Sequence, residues 1–214
     1  MERFENRREA GAVLADNLRD YAQDPNALVL ALPRGGVPVG YEIAKALGLP
    51  LDVFIVRKLG VPGYEELAMG AIASGGARVL NEEVVERVGI SENTLSKVAA
   101  REQAEIDRRE YEYRGDLPPL RPHGKTILLV DDGLATGATM RAAVAALRAA
   151  GAARIVVAVP VGSREAVQRL ALEADAVICR LQPEDFQAVG AWYHDFSQTE
   201  DEEVRELLAE SIHV

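Results

Sequence analysis

The sequence predicts an α/β fold: a doubly wound, mainly parallel five-stranded sheet flanked by helices. Three observations predict it. Five short apolar runs lack polar alternation, the pattern of strands covered on both faces. Stretches with helical spacing of apolar residues separate most of these runs, and alternating β and α elements build such sheets. The chain's 214 residues are 48% hydrophobic and 27% charged, a globular composition with apolar side chains enough for one domain spanning 1–214.

The first run is Ala27–Leu32. A helix follows it, with Gly36, Gly40, Ile43 and Leu47 on one face and Gly48 and Pro50 ending it. The second run is Val53–Val56. An insertion over 59–124 then breaks the alternation. Its opening, LGVPGYEELAMGAIASGG, is rich in small residues and predicts a mobile loop or loose hairpin. Asn81–Arg87 predicts a short helix. Ser91–Arg114 predicts a longer, charged one with a docking stripe of Leu95, Val98, Ala99, Ile106 and Tyr113. The third run, Thr126–Val130, leads into a helix carrying Met140, Ala143, Val144 and Leu147, with Gly151 at its C-terminal cap. Arg154–Pro160 is the fourth run, Ser163 caps a helix through Leu172, and Asp175–Leu181 is the fifth. Residues 182–214 form a small C-terminal hood that closes with a helix over Asp201–Leu208.

Charge narrows the function. Lys and Arg number 24 against 34 Asp and Glu, a formal net charge of -10. Such a chain is repelled by phosphate backbones, so nucleic acid is not an expected partner. The N-terminal MERFENRREA has no apolar core for a secretory signal, and no run approaches the ~20 residues that span a bilayer. The expectation is a cytoplasmic protein with no membrane partner. Cys179 is the sole cysteine, which rules out an intramolecular disulfide and predicts a small buried hydrophobe. His123, His194 and His213 lack metal-ligand spacing.

The chemistry is concentrated in ILLVDDGLATGATM, Ile127–Met140. An apolar strand ends in Asp131-Asp132, and open parallel sheets bind ligands at such strand ends. Two adjacent carboxylates need compensation, from a divalent cation or from ribose hydroxyls. The small-residue loop Gly133–Thr139 lets backbone amides converge, and a helix N-terminus lies behind it. Thr136 and Thr139 add hydroxyls. The plainer reading of the acids is a helix cap with a solvated neighbour, which leaves the loop unexplained. No Gly-Lys-Ser/Thr ending marks a Walker A loop, and Gly35-Gly36-Val37-Pro38-Val39-Gly40 lacks the dinucleotide spacing.

The stretch resembles the 5-phosphoribosyl-1-pyrophosphate (PRPP) motif of type I phosphoribosyltransferases. Pro33-Arg34-Gly35-Gly36 follows the first strand, where that family places its pyrophosphate loop, often with a cis non-proline peptide. Arg57-Lys58 follows the second, where the family has basic residues and then a flexible loop. The resemblance covers 27–181. It implies that Asp131 and Asp132 hold the ribose hydroxyls, directly or through Mg²⁺, and that Ala135, Thr136, Gly137, Ala138 and Thr139 wrap the 5′-phosphate. It implies that Arg34, Gly35, Gly36, Arg57 and Lys58 meet the pyrophosphate. Asp131, Asp132, Arg34 and Lys58 are then the catalytic set. Plainer readings stand beside these: a tight turn at Gly35-Gly36, an exposed edge pair at Arg57-Lys58.

The sequence also departs from the family. In 6-oxopurine enzymes the residue before T-G-x-T is usually a third Asp; here it is Ala135. Tyr64–Gly70 only partly echoes the adenine-type loop, and Glu65 or Glu66 is either a base or a solvated acid. The acceptor site falls in Pro183–Phe196, with Phe186 and Trp192 able to stack on a base or to serve only as packing. The implied activity is transfer of phosphoribose from PRPP to a nitrogenous acceptor, probed against two alternatives. One is a PRPP-binding sensor without turnover. The other is a PRPP synthetase, which uses two copies of the fold where this chain has one. The sequence names neither the base nor the oligomeric state, with a homodimer left open.

Overall fold

A computed structural model describes residues 3–211. The main sheet has strands β1 (Ala27–Ala31), β2 (Leu51–Val53), β6 (Thr126–Val130), β7 (Arg154–Val161) and β8 (Ala176–Leu181). They are parallel throughout, in the order β2-β1-β6-β7-β8. The doubly wound α/β expectation is met. From β1 the chain steps outward to β2, then returns to β6 on β1's other side. The strand order therefore reverses between β1 and β6, and their carboxyl ends share one crevice.

Alternate residues of these strands feed two cores. Val29, Ala31, Leu128, Val130, Val156 and Ala158 face one side. There they meet helices α1 (Arg7–Ala15), α2 (Gly36–Leu47), α4 (Glu92–Arg114) and α7 (Asp201–Glu210). Leu28, Leu30, Ile127, Leu129, Ile155 and Val157 face the other, against α5 (Ala138–Ala149) and α6 (Arg164–Leu170). Both faces are covered, which explains the unbroken apolar runs.

The run at Val53–Val56 is not one strand. Phe54 donates to the Ala31 carbonyl at 2.9 Å, and the next residue leaves the sheet, with Ile55 N–H donating to Ser74 Oγ at 2.9 Å. Val56 then opens β3 (Val56–Val61), which pairs antiparallel with β4 (Tyr64–Ala73); β5 (Arg78–Leu80) completes a second, three-stranded sheet. The start of the insertion is thus an antiparallel hairpin whose register shifts on both sides of Gly60. Leu59, Met69 and Ile72 bury its base in the first core. Tyr64 at its turn is 74% exposed.

Helix α3 (Glu82–Val88) and α4 fall where the sequence predicts them. Ser91 caps α4 by accepting from Thr94 N–H at 3.2 Å. Its buried stripe is the expected one with Glu102 added. A third cluster joins the chain's two ends: Phe4 and Ala10 pack with Val161, Trp192 and Tyr193. Among the described residues no helix is long and apolar enough to cross a membrane.

Candidate active site

β6 delivers Asp131 and Asp132 into the crevice. The chain then crosses to β7's end, where Leu134 N–H donates to Val161 O at 2.9 Å and Ser163 N–H donates to Leu134 O at 2.9 Å. Ser163 Oγ also donates to Ala135 O at 2.8 Å. These bonds pin both sides of the loop and leave Ala135, Thr136, Ala138 and Thr139 exposed. Gly137 takes φ 77°, a left-handed conformation that glycine adopts without strain, and starts α5. A cavity of about 140 Å³ is lined by Asp131 and by residues from Gly133 to Met140. The first turn of α5 lines this space, with Ala138 N–H donating to Thr136 Oγ1 at 3.4 Å, and a helix N-terminus is a favourable place for an anion.

The first loop is built against the acids. The Pro33–Arg34 peptide is cis. Gly36 N–H donates to Leu32 O at 3.0 Å, closing the turn into α2. A side-chain carbon on Gly36 would lie 2.8 Å from Val130 O and 3.0 Å from Asp131 Cα. One on Gly35 would overlap the Asp132 carboxylate. Both glycines are therefore required by close approach to Asp131-Asp132, beyond any role of a plain turn.

Burial raises the Asp131 carboxyl well above its ordinary range, and the neighbouring Asp132 charge raises it further. Burial also raises Asp132, partly offset by the Arg7 guanidinium. Two carboxylates in such a place gain from a positive partner. Arg7 supplies one: Nε donates to Asp132 Oδ2 at 2.8 Å, and a terminal nitrogen donates to Ser197 O at 2.6 Å. Tyr193 OH donates to the Asp132 backbone carbonyl at 2.6 Å. Neither Arg7 nor this bond of Tyr193 is visible in the sequence, because both partners are remote in the chain and no local spacing links them.

The expected pyrophosphate cations all have carboxylate neighbours. Arg34 lies 3.7 Å from Glu200 and 3.9 Å from Asp201. Arg57 pairs with Glu102 at 2.7 Å, and Lys58 lies 3.7 Å from Glu66. Arg57 and Lys58 also sit inside β3 of the second sheet rather than at the end of a main-sheet strand. Burial raises the Glu102 carboxyl, but hydrogen bonds from Arg57 and Arg101 outweigh this and hold it below its ordinary value. Glu65 bonds the turn, accepting from Gly63 N–H at 3.1 Å, and backbone bonds of this kind lower its pKa. Glu65 is thus engaged in the turn, while the Glu66 side chain is fully exposed.

In the hood, Trp192 is 6% exposed and packs with Phe4, Ala10 and Val161, in keeping with the packing alternative. Phe186 is half-buried beside the same cluster. His123 and His194 are exposed; His213 lies outside the described residues. Among the described residues no group of three or more His, Cys, Asp or Glu could hold a metal ion. That does not conflict with Mg²⁺, which is commonly held by one or two carboxylates, water and substrate phosphates. The paired, half-buried Asp131 and Asp132 fit that mode.

A family model described as a phosphoribosyl transferase domain matches residues 2–196. The chain belongs to this family. Two Mycobacterium tuberculosis proteins, named "Putative phosphoribosyl transferase MT0597" and "Putative phosphoribosyl transferase Rv0571c", are each 45% identical over 208 residues. The match takes in 97% of this chain and 47% of theirs, so the chain spans about half the length of these curated relatives. The crystal structure of TT1426 from Thermus thermophilus superposes with a TM-score of 0.87 at 44% identity, covering 98% of this chain and 99% of that one. AQ2163 from Aquifex aeolicus, at 11% identity and a TM-score of 0.51, shares the fold; it covers 97% of this chain and 87% of that one. In this phosphoribosyl transferase domain, then, the acid pair and the loop after it stand at the sheet's switch point.

Proposed function

We propose that this chain, acting as a single domain, transfers the 5-phosphoribosyl group from PRPP to a nitrogenous acceptor of the nucleobase class, releasing pyrophosphate. The observation that carries the reading is the placement of Asp131-Asp132 directly before an open, amide-rich loop at the crevice between β1 and β6. Residues Ala135 to Thr139 bind the 5′-phosphate. Asp131 and Asp132 accept hydrogen bonds from the ribose hydroxyls. When bound, Mg²⁺ would neutralise charge on the pyrophosphate leaving group, with the two acids holding it directly or through water.

Breaking the C1′–O bond leaves positive charge on the ribose and negative charge on pyrophosphate. Arg34, Arg57 and Lys58 stabilise the leaving group once they exchange their carboxylate neighbours for it. That exchange is easy for the partly exposed Arg34 and Lys58 pairs, since such ion pairs are each worth about 0–1 kcal/mol. The buried Glu102 makes Arg57 the harder one to release. The β3–β4 hairpin excludes water from the oxocarbenium-like centre when it closes.

The test is pyrophosphate release from PRPP and Mg²⁺ across a panel of nucleobases. Release with one base is expected, and its loss in the Asp131→Asn/Asp132→Asn double variant. Undiminished turnover in that variant sinks the reading. The carboxylate neighbours of all three cations favour a second reading, a PRPP sensor without turnover. Tight PRPP binding with no release from any base would establish it.

A further inference from the structure

We propose that Arg7 is a positioning residue for the ribose site, acting through Asp132. The inference rests on the reading of Asp131-Asp132 as the ribose-binding acids. Four residues form a closed ring of contacts. The Arg7 Nε donates to Asp132 Oδ2 at 2.8 Å. The same guanidinium lies 3.9 Å from the centre of the Phe196 ring. Phe196 stacks on Tyr193 with 5.1 Å between ring centres. Tyr193 OH returns to the Asp132 carbonyl at 2.6 Å. Asp132 is thereby gripped by its side chain and its backbone at once.

The Arg7–Asp132 pair is largely shielded from water, while Phe196, at 37% exposure, forms the outer side of the ring. The side chains of Arg7 and Asp132 are 12% and 16% exposed. A planar guanidinium can bond a carboxylate along its edge and stack on an aromatic face at the same time, which an ammonium cannot. Gly35 approaches the same oxygen, Oδ2: a side-chain carbon there would overlap it and lie 3.2 Å from Arg7 Nε, so the bond from Arg7 depends on the space this glycine leaves. Arg7 engages Oδ2, and a carboxylate keeps further acceptor capacity for a hydroxyl. Arg7 stands on α1 and Phe196 follows a 3₁₀ turn over Val189–Trp192, so two segments remote in the chain jointly set the acid's aim.

The experiment measures affinity for ribose 5-phosphate, 2-deoxyribose 5-phosphate and 3-deoxyribose 5-phosphate by calorimetry. The full chain is compared with Arg7→Gln, Arg7→Lys and Phe196→Leu, and thermal melting checks folding. The parent chain is expected to favour ribose 5-phosphate over at least one deoxy sugar by on the order of tenfold, the scale of a hydrogen bond to a charged acceptor. In Arg7→Gln that preference falls to about threefold or less while the deoxy sugar phosphate binds as before, and Arg7→Lys restores part of it. A role confined to stability weakens all three ligands together, and that result overturns the inference. So does a preference that is unchanged or larger in Arg7→Gln. Should Arg7→Gln not fold, Phe196→Leu carries the test: a selective loss supports the inference, and a uniform loss or none overturns it. A parent chain that binds ribose 5-phosphate without any preference removes the ribose reading itself, and this inference with it.

Discussion

At Gly35, one missing carbon decides whether the acid pair can exist. The residue has φ -59°, which alanine adopts freely, so the backbone itself does not demand glycine. The demand comes from the Asp132 carboxylate, which a side-chain carbon would overlap. Gly35→Ala must push that carboxylate aside and disturb its bond to Arg7. Overpacking of this kind costs about 1–3 kcal/mol. Chemical denaturation should show that loss, and PRPP affinity should fall at least tenfold; a variant with parental stability and affinity would contradict the close approach. Cys179 offers a second test at this scale. Burial pushes its thiol up to about 12. An unfolded cysteine titrates at about 8.5, so the protonated thiol favours the fold fully below that pH, and the contribution is lost as pH rises through about 12. Labelling by a disulfide reagent at mildly alkaline pH should be slower in the native chain than in denaturant by on the order of a hundredfold.

Between elements, the firmest polar joint is Arg114 to Asp52. Arg114 ends α4 and Asp52 lies in β2; the guanidinium donates to the two carboxylate oxygens at 2.9 and 3.0 Å. Their side chains are only 7% and 12% exposed. Arg114→Met would leave the carboxylate with the neighbouring Val53 N–H at 2.8 Å as its remaining partner. Loss of one member of a buried pair costs about 3–5 kcal/mol, which urea denaturation would register. Elements of this kind also show what a sequence can and cannot disclose. The strands β1, β6 and β7 were legible because burial on both faces leaves unbroken Val, Ile and Leu runs, and the half-buried edge strand β8 was legible through its shorter apolar run. The stripe of α4 was legible through its spacing. The split at Phe54-Ile55 was not, since both residues are buried and apolar and only hydrogen-bond partners reveal that the chain changes sheets there. Likewise, the Asp131–Thr139 loop is local and carries its own pattern. Arg7 reaches the site by folding from α1, and Trp192 has the composition of a stacking residue yet packs its surface against Phe4 and Val161.

Across the whole molecule, charge would set how a polyanion such as the proposed substrate PRPP arrives. The chain carries a formal net charge of -10, and PRPP carries several negative charges of its own. Beyond a Debye length, about 8–10 Å near physiological salt, the ligand meets mainly that net charge and is repelled. Closer in, Arg34, Arg57 and Lys58 could reverse the sign, but carboxylates at 2.7 to 3.9 Å largely cancel their field until the ligand displaces them. On the proposed reading, the loop at Ala135–Thr139 attracts through amide dipoles, whose reach is short. Added salt should therefore screen repulsion more than attraction during approach. At fixed free Mg²⁺, stopped-flow association of PRPP should accelerate by about two- to threefold as monovalent salt rises from low levels to ~0.15 M. A rate that falls instead would mean that the three cations act as a free positive funnel, and that their carboxylate partners are released before the ligand reaches them.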